Sequence, residues 1–135
     1  MTVVDASWEV QKAVYAALNA DGTLGALITG VYDYVPKGTA APYVIIGEDD
    51  ASWTGTFQRN WLEVDIEITS WTEGARGRKT LKEIMDAVAN VLHKGTLSLA
   101  TWTHISTLLE STDTFRDEDA LTFQGVQTFR VICHE

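Results

Sequence analysis

The chain has 135 residues, 45% of them hydrophobic, and its 19 acidic residues outnumber 10 Lys and Arg, which gives a formal net charge of −9. A chain of this length forms one domain, residues 1–135, and buries about 68% of its unfolded surface, enough to fold without disulfides or metal. The acidic balance, with no basic run of five residues, disfavours a protein that grips nucleic-acid phosphates.

The first predicted elements are a helix followed by two strands. Residues 5–20 place apolar side chains three and four positions apart, the pattern of an amphipathic helix, and a short turn over 24–28 follows. Val31 to Val35 reads as a strand that Pro36 closes. Pro42 to Gly47 is apolar at consecutive positions, which favours a strand buried on both faces.

A long loop and an alternating strand come next. Residues 48–60 are polar without a period and predict a loop. From Trp61 to Trp71 apolar and polar residues alternate, which predicts a strand with one core face and one wet or interface face. The core face would carry Leu62, Val64, Ile66 and Ile68, and the opposite face Glu63, Asp65, Glu67 and Thr69.

The remaining elements are a second helix and two strands. Residues 72–93 carry an apolar helical stripe, with Thr72 as a candidate N-cap and Gly95 after its end. Strands are expected over 103–110 and 121–134, separated by an acidic turn over 113–119. The order α-β-β-β-α-β-β predicts an α+β fold, with a mostly antiparallel sheet of four to five strands and two main helices on one face.

The sequence carries no local signature of catalysis, cofactor binding or a metal site. It has neither a G-x-S-x-G elbow nor a glycine-rich phosphate loop. His93 lies on the last turn of the predicted second helix, where a cationic imidazole would interact favourably with the negative end of the helix dipole. Cys133 and His134 are neighbours on a predicted strand, so they point to opposite faces and cannot easily chelate one ion. Cys133 is also the single cysteine, so no internal disulfide forms.

Three carboxylates share one predicted strand face. Glu63, Asp65 and Glu67 recur every second residue, about 7 Å apart. Such a row is a solvated polar face, an acidic surface that forms or repels an interface, or a pair for glycoside hydrolysis. No other part of the sequence argues for a sugar cleft.

Cations crowd the start of the second helix, where the helix dipole disfavours them by about 0.3–1 kcal/mol each. They are Arg76, Arg78, Lys79 and Lys82. Either this end is well solvated, or the cations meet carboxylates of another subunit. The candidate partners are Asp49, Asp50 and the row Glu63, Asp65 and Glu67.

The predicted long loop contains two aromatic residues, Trp53 and Phe57. Aromatics in a polar loop either fold back as a small satellite core or anchor a partner, since buried aromatics dominate many interfaces. Both alternatives stay open at the level of sequence.

The order and spacing of these segments resemble the small tail-completion proteins of long-tailed bacteriophages and gene transfer agents. The segments that carry the resemblance are Val31 to Pro36, Pro42 to Glu48, the strand that ends at Ser70-Trp71, the helix from Gly74 to Leu92, Arg116-Asp117 and Gly125 to Arg130. No single motif among them is diagnostic. The resemblance covers most of the chain from about Val10 onward.

The resemblance implies a tail terminator, which is not an enzyme and needs no cofactor. Its subunits would form a six-membered ring on the head-proximal end of the tail tube, with three partners: the ring's own copies, the tail-tube protein and the head-tail connector or stopper. Residues 48–60 would reach a neighbour or the tube. The implied location is a virion or gene transfer agent particle that is assembled in the host cytoplasm, with no contact to a membrane.

An acidic channel wall would let DNA pass through such a ring without being held. We expect this wall to be formed by Glu63, Asp65 and Glu67, or by the 113–119 turn with Asp117, Glu118 and Asp119. Two rival classes remain: another connector or tail-tube component of the same particle, and an unrelated small ligand-binding domain, which a deep pocket with convergent polar groups would favour.

Overall fold

The computed structural model describes residues 4–74, 78–116 and 121–135. Within these residues the chain forms three helices and five strands. Their bounds, in chain order, are α1 (Ser7–Ala20), α2 (Gly22–Gly25), β1 (Val31–Tyr32), β2 (Tyr43–Trp53), β3 (Trp61–Glu73), α3 (Arg78–Leu92), β4 (Thr103–Arg116) and β5 (Thr122–His134).

The five strands form one mixed sheet in the order β1-β2-β3-β5-β4. The short β1 runs parallel to β2, and the other three pairs are antiparallel. The β3–β5 ladder is the longest regular one and runs from Trp61↔His134 to Glu73↔Thr122 without a bulge. The predicted α+β class is therefore confirmed, with one parallel pair added at the edge.

The hydrophobic core lies between one face of this sheet and the two long helices. The apolar side chains of β3 are buried on that face, as their alternation predicts, and Phe129 and Val131 of β5 lie beside them. Val10 and Val14 of α1 and Ile84 of α3 cover them from the helix side. We call the opposite side of the sheet the open face.

A buried carboxylate, Glu9, fastens α1 to the segment that precedes β4. Its Oε1 accepts the backbone N–H of Thr101 at 2.8 Å and that of Trp102 at 3.3 Å, and its Oε2 accepts the Thr101 hydroxyl. Burial raises the pKa of Glu9, but these hydrogen bonds and Lys12 lower it by more, so the pKa lies below the ordinary value of 4.5.

The predicted long loop over 48–60 is wrong in its first half, because β2 continues to Trp53. Its pairing with β3 passes a bulge between Ile46 and Asp49 and ends at Trp53↔Leu62. Only residues 54–60 form the turn. The prediction that 42–47 is buried on both faces is also wrong, since Ile46 is buried whereas Ile45 is only half-buried.

The predicted start of the second helix and the predicted acidic turn also differ from the structure. Thr72 is buried in β3, opposite Phe123, and therefore does not cap α3. The helix begins at Arg78 in the described residues. Strand β4 extends to Arg116, so residues 113–116 of the expected turn are strand, and the rest of that turn, Asp117 to Asp119, lies outside the described residues.

The C-terminus of α3 explains why a glycine stands at position 95. The left-handed residue after the helix is Lys94, with φ 60°, and not the glycine. A Cβ on Gly95 would lie 2.4 Å from the Val91 carbonyl oxygen, so the close approach of backbone requires glycine there.

Candidate assembly surfaces

Strand β2 becomes an outer strand of the sheet beyond its first few residues. Strand β1 pairs only with Val44 and Ile45, so in the described part of the chain no strand covers the outer side of residues 47–53. This stretch, which we call the acidic edge, is exposed throughout and carries Glu48, Asp49 and Asp50. None of the three has an ion pair with any described residue.

The turn that joins β2 to β3 presents its aromatic residues to solvent. The Phe57 side chain is fully exposed, and Trp53 is 54% exposed although its Nε1 donates to Asn60 Oδ1 at 3.0 Å. Of the two alternatives for these aromatic residues, a satellite core does not fit this exposure. Exposed aromatic rings are available to become buried against a partner, where aromatic residues contribute strongly to binding.

Two cations at the start of α3 lie near the strands β5 and β4: Arg78 is close to Phe123 of β5, and Lys82 lines a groove together with residues of β4. The Lys79 Nζ is 3.8 Å from Glu83, an exposed i,i+4 pair that contributes little to stability. The Arg78 guanidinium lies 5.8 Å from the centroid of the buried Phe123 ring. Lys82 is exposed and has no ion pair with a described residue. Arg76, the fourth predicted cation, lies outside the described residues.

A groove of about 350 Å³ lies between α3 and β4, and its two charged lining residues, Lys82 and Asp86, have opposite signs. Its lining residues are Lys82, Met85, Asp86, Ala89, Leu109, Thr112, Thr114 and Gln127. The Gln127 side chain is only 2% exposed; its Nε2 donates to the Met85 carbonyl at 3.0 Å, but its Oε1 has no hydrogen-bond partner among the described residues. Leaving a buried acceptor without a donor costs about 1–3 kcal/mol.

The open face carries an acidic cluster around one arginine. Arg130 Nε lies 3.2 Å from Asp65 and 4.0 Å from Glu63, and its NH2 group lies 3.3 Å from Glu110. A hydrogen bond to Asp65 and burial raise the pKa of Glu110, while Asp65 and Glu110 raise the pKa of Arg130. Glu67 follows on the same strand face, so the cluster keeps an excess of negative charge.

Sequence reasoning did not find Arg130, Glu110 and Gln127. Arg130 is brought to Asp65 by the strand register, which pairs these two residues directly. One feature of the sequence could have indicated Gln127. It is a polar residue two positions before the buried Phe129, so it lies on the same, buried face of the strand.

The histidines form no catalytic arrangement in the described chain. His93 follows the last residue of α3, and its Nδ1 accepts the backbone N–H of Leu109 at 2.9 Å. The His134 ring packs on Trp61 with 4.9 Å between centroids. Among the described residues, no group of three or more acidic, His or Cys side chains could hold a metal ion, and no helix is both long and apolar enough for a membrane span.

The fold and these surfaces define a class: a small α+β protein with charged edges and, among the described residues, no catalytic arrangement. The family model described as tail completion protein gp17 matches residues 12–134. The chain therefore belongs to the tail completion protein gp17 family, which confirms the resemblance noted in the sequence, and it is a structural protein of the virion tail.

A solved structure agrees with this assignment. A chain in the structure titled "Virion of native gene transfer agent (GTA) particle" is 29% identical and superposes with a TM-score of 0.89. The match covers 98% of this chain and 100% of that chain. A search of curated proteins finds no significant match.

Proposed function

We propose that this protein caps the head-proximal end of the tail tube as a hexameric ring, stops tube polymerisation and forms the tail side of the head-tail joint. The observation that carries the proposal is the near-complete match, with a TM-score of 0.89, to a chain of a native gene transfer agent virion. The role is structural and involves no catalytic step and no cofactor.

The distribution of charge supports a ring. A ring contact is heterologous, so each subunit offers two different patches that fit one another. The acidic edge lies on the β2 side of the sheet, whereas Lys82 of α3 lines a groove beside β4, the strand at the other end of the sheet. Opposite charges on opposite sides are suited to such a head-to-tail contact.

The open face is suited to line the central channel. Subunits joined through the two sides of the sheet would turn one sheet face toward the lumen, and Glu63, Asp65 and Glu67 lie on the open face with one arginine among them. A formal charge of −9 per chain gives about −54 for six copies, which repels DNA phosphates. Asp117, Glu118 and Asp119 would add to this wall if they also face inward.

The exposed hairpin tip is suited to contact the tail-tube protein. Phe57 and Trp53 supply the aromatic surface that interface centres favour. The head-tail connector or stopper would then bind the other rim of the ring.

Electron microscopy of purified tail tubes, assembled with and without the protein, tests this proposal. We expect added protein to produce tubes of limited length with extra density at one end. A tube subunit would instead polymerise without limit, and a connector would bind head portals while leaving tube length unchanged. Tubes that lengthen freely in the presence of the protein would contradict the terminator role.

A further inference from the structure

We propose that Asn60 is a positioning residue of the hairpin between β2 and β3, and that it holds Phe57 in the orientation in which this ring enters an apolar pocket of the tail-tube protein. The proposal rests on the proposed function, because the hairpin tip meets the tube only if the protein caps it.

The turn of this hairpin is tightly built. The backbone N–H of Thr56 donates to the Arg59 carbonyl at 3.0 Å, and the Arg59 N–H donates to the Thr56 carbonyl at 3.3 Å. The two residues between them, Phe57 and Gln58, therefore form the tip. A Cβ on Gly55 would clash with the Arg59 carbonyl oxygen, so the two sides of the hairpin are in close contact.

Asn60 fastens the base of the turn on both sides. Its Oδ1 accepts the Trp53 indole N–H at 3.0 Å, and its Nδ2 donates to Glu135 Oε2 at 2.8 Å. Its backbone carbonyl accepts the N–H of Glu135 at 2.9 Å. An indole nitrogen only donates and a carboxylate only accepts, so both side-chain contacts require the same orientation of the Asn60 amide. Asn60 thus ties the end of β2 to the residue that follows β5.

Phe57 is fully exposed at the tip of this fastened turn. Burying its ring against a partner is favourable, and a ring on a fixed backbone loses less conformational entropy on binding than a ring on a mobile loop. The side-chain bonds of Asn60 lie at the surface, where their loss should change the order of the hairpin more than the stability of the domain. Asn60 would therefore act on binding through Phe57.

A double-mutant cycle on tube capping tests this role. Phe57→Ala removes the ring, and Asn60→Ala removes both side-chain bonds while Phe57 stays. We expect F57A to raise the concentration that caps half of the tube ends by about 30-fold or more, and N60A by about tenfold. If Asn60 acts through Phe57, N60A should add less than about a twofold further loss in the F57A background.

An exchange of groups at the clamp supplies a rescue. N60D keeps an acceptor for Trp53 but places a carboxylate against Glu135, so it should weaken capping about as much as N60A does. Adding E135Q returns a donor opposite this carboxylate, and the double variant N60D/E135Q should cap within about twofold of the wild type. The matched control is Asn90→Ala, which removes another exposed side-chain bond between an asparagine and a carboxylate and should leave capping unchanged.

Hydrogen exchange of the amides in residues 54–60 measures the clamp without a partner. It should be faster in N60A and return to the wild-type rate in N60D/E135Q, while exchange in β3 and β5 stays the same. N60A that caps like the wild type, or that loses the same factor with and without Phe57, overturns the positioning role. F57A that caps normally overturns Phe57 as the anchor, whereas wild-type protein that never caps tubes overturns the proposed function.

Discussion

Replacement of Glu9 by glutamine should destabilise the protein in a pH-dependent way. The Glu9 carboxylate accepts two backbone N–H groups and one hydroxyl from residues 101 and 102. A hydrogen bond to a charged group contributes about 1.5–3 kcal/mol, and a neutral one about 0.5–1.5 kcal/mol. The amide oxygen of E9Q keeps the two N–H bonds as neutral bonds, so we expect a loss of about 1–2 kcal/mol in the free energy of unfolding. E9A removes both acceptor oxygens and with them all three hydrogen bonds, so it should cost more.

The pH dependence follows from the lowered pKa of Glu9. A carboxyl group whose folded pKa lies below its unfolded value stabilises the protein above the unfolded value, and this contribution is lost as the pH falls through the folded pKa. The difference between wild type and E9Q should therefore be full at about pH 7 and shrink below 4.5, the ordinary value for this group. Protonated Glu9 then resembles glutamine.

Urea unfolding at several pH values, followed by circular dichroism, measures this difference. The control is Glu83→Gln on α3, an exposed carboxylate that should change stability by less than about 0.5 kcal/mol. Equal stability of E9Q and wild type at about pH 7, or a deficit that stays constant down to about pH 3, would refute the reasoning.

Three further predictions concern packing, the open face and the cysteine. Gly95→Ala should cost about 1–3 kcal/mol in urea unfolding, because its Cβ would meet the Val91 carbonyl oxygen, whereas Gly22→Ala, with open space around it, should cost little; similar costs would contradict this. Arg130→Gln leaves three carboxylates without their shared cation, so its stability deficit should be larger at about pH 7 than at about pH 4, and a constant deficit would speak against charge repulsion. Burial, and then Glu9, raise the pKa of the Cys133 thiol to about 11, so its alkylation at about pH 8 should be slow until the chain unfolds; equal rates in both states would show an accessible thiol.

Strand β3 could be predicted from sequence because one of its faces is buried and the other is not. That difference produces an alternation of apolar and polar residues along the strand, which Leu62 to Ile68 show clearly. The second half of β2 has no such difference, since residues 47–53 are exposed on both faces. These residues form a strand because they pair with β3. This pairing is a tertiary contact, and the local pattern of apolar and polar residues does not indicate it.

Some residues of the candidate surfaces could likewise be predicted from the sequence, and others could not. The row Glu63, Asp65 and Glu67 could be assigned to one face from its period of two, and the cations of α3 from their crowding in sequence. The environments of Arg130 and Gln127 could not be predicted from the sequence, because they depend on which strands pair with β5 and in which register. Contacts between residues distant in the chain need the assembled sheet.

The position of β5 has a consequence for how the protein is made. It is the fifth strand to leave the ribosome, yet it lies between β3 and β4 and bonds to both along its length. Until it is synthesised, β3 and β4 have no common neighbour, and most of the pairing is long-range, which slows folding. The groove beside α3 also lacks Gln127 until then. A chain interrupted before residue 122 would therefore lack the strand that joins β3 to β4, so its sheet would stay incomplete.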